Sequence, residues 1–443
     1  MKISSFPLML LAVCLKLPVM AQMQPAAGTM RFSLNESKNY ALNNSPVLLN
    51  SARDVEIAKK LVWENTATGL PQATLSSSYA YSPELSGLTG AIKDFPGFEN
   101  VNPNDLKTSF SASLQVNQLI FSGQYIVGLK AAKVYAGLSE LANSKSEIGI
   151  IESITTTYFT ALVAREAKVI LDSTLKTVQK TLYETEQLYK NGFAELTDVD
   201  QLKILVSNIK SSLSVTERQI ELMERLLKFQ MGIPIDQAIV LTDQIDPLVT
   251  VMNVEAAVLD SFKLENNVDY QMLTTQEKLM KLNMQLNQAQ YLPTLSGFYS
   301  RYEDLDHNFF NDQSPNMFGM SLNFPLFTSG QRNSQVSQSR LSFMKAQTNT
   351  QMASESLLIQ YETSLSEFLS ACDIYAMQKE SRNLALRIYE KSLKKFTTGL
   401  GSSLDLNQTQ SQYFEAERNY FNALMSFVSA KSKLESLLAN SVN

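Results

Sequence analysis

The apolar residues of this chain follow two different periods. The first has a period of two: apolar and small polar side chains alternate over Phe110–Asn117 and again over Phe318–Leu326. This alternation is typical of a β-strand with one apolar and one polar face. Similar runs follow two Leu-Pro pairs, so we predict four strands, at about 72–82, 109–121, 294–303 and 317–327.

The second period is a heptad, and it occurs in long stretches without proline. No proline lies in the ranges Asn104–Ile233 or Leu326–Asn443. Interior prolines would destabilise a helix by ~3 kcal/mol each, so their absence permits long helices. Near the C-terminus the apolar residues lie three and four positions apart: Tyr413, Ala416, Tyr420, Ala423, Phe427, Ala430, Leu434 and Leu437. This spacing predicts helices that pair along a coiled-coil seam.

The chain contains two copies of one plan. Ser122-Gly123-Gln124 returns as Ser329-Gly330-Gln331, and at the same offset of 207 residues GFAELTDVDQ aligns with GLGSSLDLNQ. Shifting the heptad by this offset gives a second apolar seam, which Thr216 and Gln230 interrupt. We predict repeat one at about 31–232, a linker and equatorial segment at about 233–254, and repeat two at about 255–440. In each copy a strand hairpin leads into a very long helix, which from Gly123 to Lys190 would measure about 100 Å.

The pattern of the N-terminal residues is typical of an export signal. Lys2 precedes an apolar run, and Ala21 offers a cleavage site, so we predict a signal peptide at 1–21 and a mature chain at 22–443. A lipoprotein site at Cys14 is disfavoured, because Val13 rather than a small residue precedes it.

The composition argues against nucleic-acid binding, catalysis and metal binding by this chain. The formal net charge of −5 gives no basic surplus for nucleic acid. With one histidine and two cysteines, one of them in the signal, the sequence suggests no catalytic residues, no metal site and no cofactor, and we expect no enzyme.

The four strands admit two interpretations. About 9–11 residues suffice to cross a membrane as a tilted strand, and the strands are this long. The alternative is a half-buried sheet in a soluble periplasmic coiled-coil scaffold or adaptor. Because four strands cannot close a membrane barrel and open edges are not tolerated in lipid, the membrane interpretation requires several chains to share one barrel.

Several motifs resemble the TolC family of outer-membrane efflux proteins, and together they cover essentially the whole mature chain. They are SLNESKNYALNNSPVL at Ser33–Leu48, the two Leu-Pro strand entries, PLFTSGQ at Pro325–Gln331, and the helix tips YKNGFAELTDV at Tyr189–Val199 and FTTGLGSSLDL at Phe396–Leu406. Each motif alone is weak, but their order, duplication and constant offsets are specific.

The resemblance implies a mixed α/β membrane protein: a homotrimer with a twelve-stranded transmembrane β-barrel, four strands per chain, continued by a long α-helical barrel in the periplasm. It further implies a passive exit channel in the outer membrane, in contact with outer-membrane lipid. Such channels serve tripartite efflux or one-step secretion systems and carry small molecules, or in some systems proteins. An inner-membrane transporter and a periplasmic adaptor would be the partners.

The resemblance also places a gate at the helix tips. Asp405 matches an acidic ring position of the family, whereas Gln408 stands where a second acid is common. Thr197 and Asp198 match positions that tether neighbouring tips. Their family partners are Phe396 and Gly401 here, which offer no side-chain hydrogen bond, so a tether would need other groups such as Lys394, Lys395 or the backbone. An alternative is that Asp198 and Asp405 are helix N-caps.

Glycines mark the turns of this plan. Gly192 and Gly399 are expected to end the long helices. Gly123 and Gly330 are expected to allow a positive φ where strand becomes helix, with Pro325 stiffening the second exit. The expected adaptor surface at the tips consists of Lys190, Asn191, Phe193, Thr398, Leu400 and Ser402.

Overall fold

The computed structural model describes residues 29–82, 108–245, 262–304 and 316–439. The expected signal peptide at 1–21 and residues 246–254 of the expected linker lie outside these ranges. The first repeat contains β1 (Met30–Phe32), α1 (Leu34–Asn44), α2 (Pro46–Ala67), β2 (Gln72–Tyr81), β3 (Thr108–Ser122), α3 (Gly123–Lys190) and α4 (Leu196–Met231). After these follow β4 (Ile239–Leu241), a 3₁₀ turn (Leu264–Asn266), α5 (Val268–Ala289), β5 (Thr294–Asp304), β6 (Asn316–Asn323), α6 (Gln331–Thr397) and α7 (Ser403–Leu438).

The strands β2, β3, β5 and β6 form one antiparallel sheet in that order. The register sets Tyr79 opposite Phe110, and Tyr299 between Val116 and Phe318. Directly opposed residues project to the same face, so most apolar positions of the four strands share one face of the sheet, whereas Phe298, opposite Asn117 and Gly319, lies on the other. On the other face the hydroxyl groups of neighbouring strands pair, as in Ser78 Oγ with Ser111 Oγ at 2.9 Å.

The last strand is shorter than the sequence suggested. We expected it to reach residue 327, but β6 ends at Asn323. Pro325 has no backbone N–H to donate to a neighbouring strand, so the ladder stops before it. The carbonyl oxygen of Pro325 instead accepts a hydrogen bond from Arg332 Nη1 at 3.0 Å, which ties the strand exit to the first turn of α6.

Two long helical hairpins extend from the sheet. The first consists of α3 and α4, and the second of α6 and α7; α3 and α6 have 68 and 67 residues. The predicted heptad seam of α7 is buried at Tyr413, Tyr420, Phe427 and Leu434. The shorter helix α2 packs against α3, and α5 packs against both α3 and α6. None of the helices in the described ranges combines the length and apolar character that crossing a bilayer requires.

A small belt crosses the middle of the helices. Strands β1 and β4 pair in parallel, with Phe32 opposite Leu241. The Tyr158 hydroxyl of α3 lies 3.0 Å from the Phe32 carbonyl oxygen and 3.1 Å from Asp243 Oδ2. Burial, followed by the Asp243 carboxylate, raises the pKa of Tyr158 well above its usual range. These contacts hold the segments before α1 and after α4 against the buried centre of α3.

The two strand-to-helix glycines act for different reasons. Gly330 has a φ of 83° and is the N-cap of α6, as expected. The expectation of a positive φ at Gly123 is wrong, because Gly123 is the first residue of α3 and Ser122 is the N-cap. Glycine at this position instead leaves room for Leu292, since a Cβ would lie 2.5 Å from Leu292 Cδ1 and that side chain would have to shift.

Candidate functional site: the helix tips

The two hairpins end in the same kind of turn. Gly192 and Gly399 have φ values of 78° and 75°, in the left-handed region that favours glycine. Phe193 N donates to the Leu188 carbonyl at 2.8 Å, and Leu400 N donates to the Lys395 carbonyl at 2.9 Å. The glycine N–H groups donate to the carbonyls three residues back, of Tyr189 and Phe396, and the two pairs of bonds form a Schellman motif at both tips. Both glycines therefore end a long helix, as the sequence indicated.

The turn of the first hairpin leads into α4 through a capping box. Glu195 is the N-cap, and its backbone N donates to Asp198 Oδ2 at 3.3 Å. The Glu195 carboxylate accepts from the backbone at Asp198 and also from Thr197 Oγ1 at 3.0 Å. Carboxylates in the first turn are favoured by the helix dipole. Thr197 and Asp198 are thus fixed in position by contacts within their own turn.

The turn of the second hairpin begins α7 in a similar way. Ser402 is the N-cap, and its Oγ accepts from Asp405 N at 3.1 Å. The alternative role of Asp198 and Asp405 as N-caps is therefore wrong: each is the third residue of its helix, and Glu195 and Ser402 are the caps.

One side-chain hydrogen bond joins the tips of the two hairpins. Ser403 Oγ, at the start of α7, donates to Asp198 Oδ1, near the start of α4. Ser403 is buried, at 5% exposure, and Asp198 is half-buried. Asp198 therefore has a tether to the other hairpin. Its partner, Ser403, is a residue that the sequence did not single out, and a tether through Lys394, Lys395 or the backbone stays a prediction.

Asp405 and Gln408 lie on the exposed side of the first turns of α7. Asp405 Oδ2 accepts a hydrogen bond from the buried Ser392 of α6 at 2.9 Å. This bond fixes one carboxylate oxygen and leaves the residue at the surface of the single chain. The structure thus brings Asp198 and Ser403 together, whereas Asp405 and Gln408 form a separate exposed strip.

The tips also expose apolar side chains. Phe193 and Leu400 occupy equivalent places just after the two turn glycines, and they are 81% and 82% exposed. Leu196 and Leu404, at the starts of α4 and α7, are half or more exposed. Exposed apolar residues clustered at one end of a molecule mark surfaces that contact other proteins.

A polar cluster lies between α6 and α7, further from the tip of the second hairpin. Glu417 Oε1 accepts from Arg382 Nε at 2.8 Å and from the Tyr413 hydroxyl at 2.7 Å. The Arg382 guanidinium lies 4.9 Å from the centre of the Tyr420 ring, and Tyr389 stacks on Tyr413 at 5.6 Å. Burial raises the pKa of Tyr389 to about 12, and burial together with the bond to Glu417 raises the pKa of Tyr413.

The first hairpin has no such cluster at the equivalent positions. At the offset of 207 residues, Leu175, Lys210 and Val206 stand in place of Arg382, Glu417 and Tyr413. Comparing the two repeats position by position could have revealed this difference from sequence. The α3–α4 pair has a partly buried ion pair at a different place, between Arg165 Nη2 and Glu224 Oε1 at 2.6 Å.

Within the ranges that the structure describes, no three His, Cys, Asp or Glu side chains come close enough together to hold a metal ion. The tips instead combine a tether between hairpins, an exposed acid and an exposed apolar surface. These features can hold an opening, influence passing ions and contact a partner.

Comparison with known proteins gives a consistent result. The family model described as "Outer membrane efflux protein" matches residues 39–232 and 261–440. The outer membrane protein TolC of Escherichia coli is 22% identical over 431 residues, which cover 89% of this chain and 80% of TolC. A toluene efflux pump outer membrane protein of Pseudomonas putida, TtgC, is 25% identical and covers 67% of this chain and 57% of its own length.

The fold is also shared with solved structures. The outer membrane protein VceC of Vibrio cholerae superimposes with a TM-score of 0.70 at 18% identity, over 92% of this chain and 97% of VceC. The resemblance read from the tip and strand-exit motifs is therefore confirmed, as is the mixed architecture of helical tunnel and β domain.

Proposed function

The chain belongs to the outer membrane efflux protein family, and we propose that three copies of it assemble into a passive exit channel for small molecules. The protein is an efflux channel of the outer membrane, and TolC-like channels of this kind are trimeric. Four strands from each copy would close a twelve-stranded barrel. The hairpins α3–α4 and α6–α7 would continue this barrel as a tunnel in the periplasm.

The unpaired edges of the sheet carry this proposal. Among the strands that the structure describes, β2 and β6 lie at the edges of the sheet, and each pairs with one neighbour. Exposed backbone groups at such an edge are not tolerated in lipid, so each edge needs a neighbouring strand. A rotationally symmetric ring supplies one, because β6 of one copy can pair with β2 of the next.

The surface of α6 supports the same assembly. Along its length, large apolar side chains are 49–66% exposed in the single chain, including Leu341, Met352, Ile359, Ile374 and Met377. A soluble monomer rarely leaves such a row open to water. In a ring, this surface would pack against the α3–α4 hairpin of the adjacent copy.

The gate would lie at the tips. Three copies of Asp405 would line the narrowest point and attract cations, since like charges held close together stabilise a bound cation. Gln408 supplies no second acid, so the ring would be weaker than a doubly acidic one. The Ser403–Asp198 bond would hold the two hairpins of each copy together when the tip is closed.

The partners would be a periplasmic adaptor and an inner-membrane transporter. The exposed Phe193 and Leu400, with their polar neighbours, offer an apolar surface at the end of the tunnel that an adaptor can cover. Small molecules are the favoured cargo, because one relative is the outer membrane protein of a toluene efflux pump.

The assembly can be tested by mass. The mature protein extracted in mild detergent should behave as a species with three times the mass of one chain, measured by light scattering or native mass spectrometry. A chain that is monomeric and stays in solution without detergent would contradict the proposal and favour the soluble coiled-coil scaffold.

A further inference from the structure

The apolar face of the sheet carries a charged pair. In the strand register, Arg301 lies between Leu114 and Asn316, and Glu303 lies opposite Ala112. Opposed residues share a face, so both charged side chains project on the face of Leu114 and not on the face of the paired serine hydroxyls. This is the face that the lipid would contact in the assembled barrel.

The position along the strand identifies the membrane boundary. Arg301 is three residues from the end of β5 at Asp304, and this end points away from the helices. An arginine on the lipid face is strongly destabilising at the bilayer midplane and nearly neutral at the interface. The helices occupy the periplasm, so the pair belongs in the headgroup layer of the outer leaflet.

Glu303 holds the guanidinium in a defined orientation. Arg301 Nε donates to Glu303 Oε1 at 3.0 Å, and Nη2 contacts the same oxygen. These bonds leave Nη1 without a bond to Glu303. Both side chains are about half exposed, at 52% and 48%. The remaining edge of the guanidinium can therefore receive an anion.

A groove lies directly below this pair on the same face. It has a volume of about 500 Å³, and its outward-facing walls include Val116, Tyr299, Phe318 and Met320. Gly297, the next outward position after Tyr299, has no side chain and so leaves the groove open. Arg301 and Gly297 are four residues apart, about 13 Å along the strand. A cation thus stands at one end of an apolar groove that runs toward the membrane centre.

We propose that Arg301 and the groove over Gly297 together bind a phosphorylated lipid of the outer leaflet. The phosphate pairs with the guanidinium, whose planar donors match phosphate oxygens. One acyl chain lies in the groove against Tyr299 and Phe318, whose rings are 4.7 Å apart. Each copy carries its own site, because β5 lies between β3 and β6 inside the sheet and not at a chain boundary.

This inference rests on the proposed function, since it requires the sheet to lie in the outer membrane. The test uses the full mature protein in detergent, titrated with lipid A, a phosphorylated and acylated disaccharide, and followed by native mass spectrometry. Phosphatidylcholine serves as the reference lipid. We expect one lipid A per chain, and roughly tenfold weaker binding after Arg301→Gln, which removes the charged donor.

Filling the groove should have a similar effect. Gly297→Val places a side chain in the groove, where a Cβ meets only Ile120 Cδ1 at 3.4 Å and the Gly319 carbonyl oxygen at 3.9 Å, so the strand can accept it. Two control variants should bind lipid A like the wild type. Arg340→Gln removes an exposed arginine from α6, and Ser77→Val adds an apolar side chain to the same sheet face outside the groove.

Two results would overturn the lipid site. One is equal retention of lipid A by Arg301→Gln, Gly297→Val and the controls. The other is displacement of lipid A by an equal concentration of inorganic phosphate, which would indicate a site for free anions. Flotation with vesicles separates this failure from that of the proposed function. If the wild type does not float, the membrane assembly itself is wrong; if all variants float but bind lipid A alike, only the lipid site is wrong.

Discussion

The hydrogen bond from Ser403 to Asp198 joins the tips of the two hairpins within one chain, so any opening that separates them must break it. Replacing Ser403 by alanine removes the donor and leaves the half-buried carboxylate of Asp198 without this contact. The helix itself should tolerate the change, because the N-cap of α7 is Ser402 and alanine is a good helix former.

The size of the effect follows from the setting of the bond. A hydrogen bond to a charged group contributes about 1.5–3 kcal/mol when it is well buried. Asp198 is only half-buried, so we take about 1 kcal/mol per chain, or roughly a fivefold shift toward the open tip. If three tethers in a trimer break together, the open-to-closed ratio rises on the order of 100-fold.

Single-channel recording in planar bilayers measures this ratio directly. The Ser403→Ala channel should spend a larger share of time in a high-conductance state than the wild type. Ser411→Ala is the matched control, since Ser411 lies two turns further along α7 and its Oγ bonds only to the Asn407 carbonyl of its own helix. In an Asp198→Ala background the Ser403 substitution should have little further effect.

Equal open fractions in Ser403→Ala, Ser411→Ala and wild type would refute the tether. So would a full Ser403→Ala effect in the Asp198→Ala background, because the two residues would then act independently.

Three further predictions concern the second hairpin. Asp405→Asn should lower cation preference and block by trivalent cations, and Gln408→Asp should raise both; equal block in all three channels would count against Asp405 as the constriction. Because the pKa of Tyr389 is raised to about 12, its neutral form stabilises the fold below pH 10 and this stability is lost as the pH rises toward 12. Tyr389→Phe should therefore reduce the fall in melting temperature over that range, and an unchanged fall would contradict the assignment. Glu417→Gln should destabilise the hairpin by about 3 kcal/mol, since it leaves the Arg382 charge without its partner, whereas replacing Glu417 and Arg382 together by leucine should recover most of the loss in thermal melts.

The two periods and the internal repeat were enough to predict most of the architecture. A period of two over Phe110–Asn117 and the heptad through Tyr413 and Phe427 report directly which side chains share one face of a strand or helix, and this segregation dominates the choice of fold. The role of Gly192 and Gly399 in ending the long helices was also predictable from the sequence, because a left-handed residue after a helix is a local requirement.

Contacts between distant segments could not be predicted from these sequence patterns. The role of Ser403 depends on how the α4 and α7 tips approach each other, and a serine at a helix start has no distinctive pattern. A positive φ was wrongly predicted for Gly123, because its close neighbour Leu292 lies in the other repeat. The outward direction of Arg301 needed the strand register, since an arginine in the alternating pattern of β5 could face either side.

The conductance of the purified wild-type protein in a planar bilayer tests the exit channel most directly. A barrel shared by three chains should give discrete, uniform current steps from a trimeric species. Silence from protein that is monomeric and soluble without detergent would contradict the exit channel.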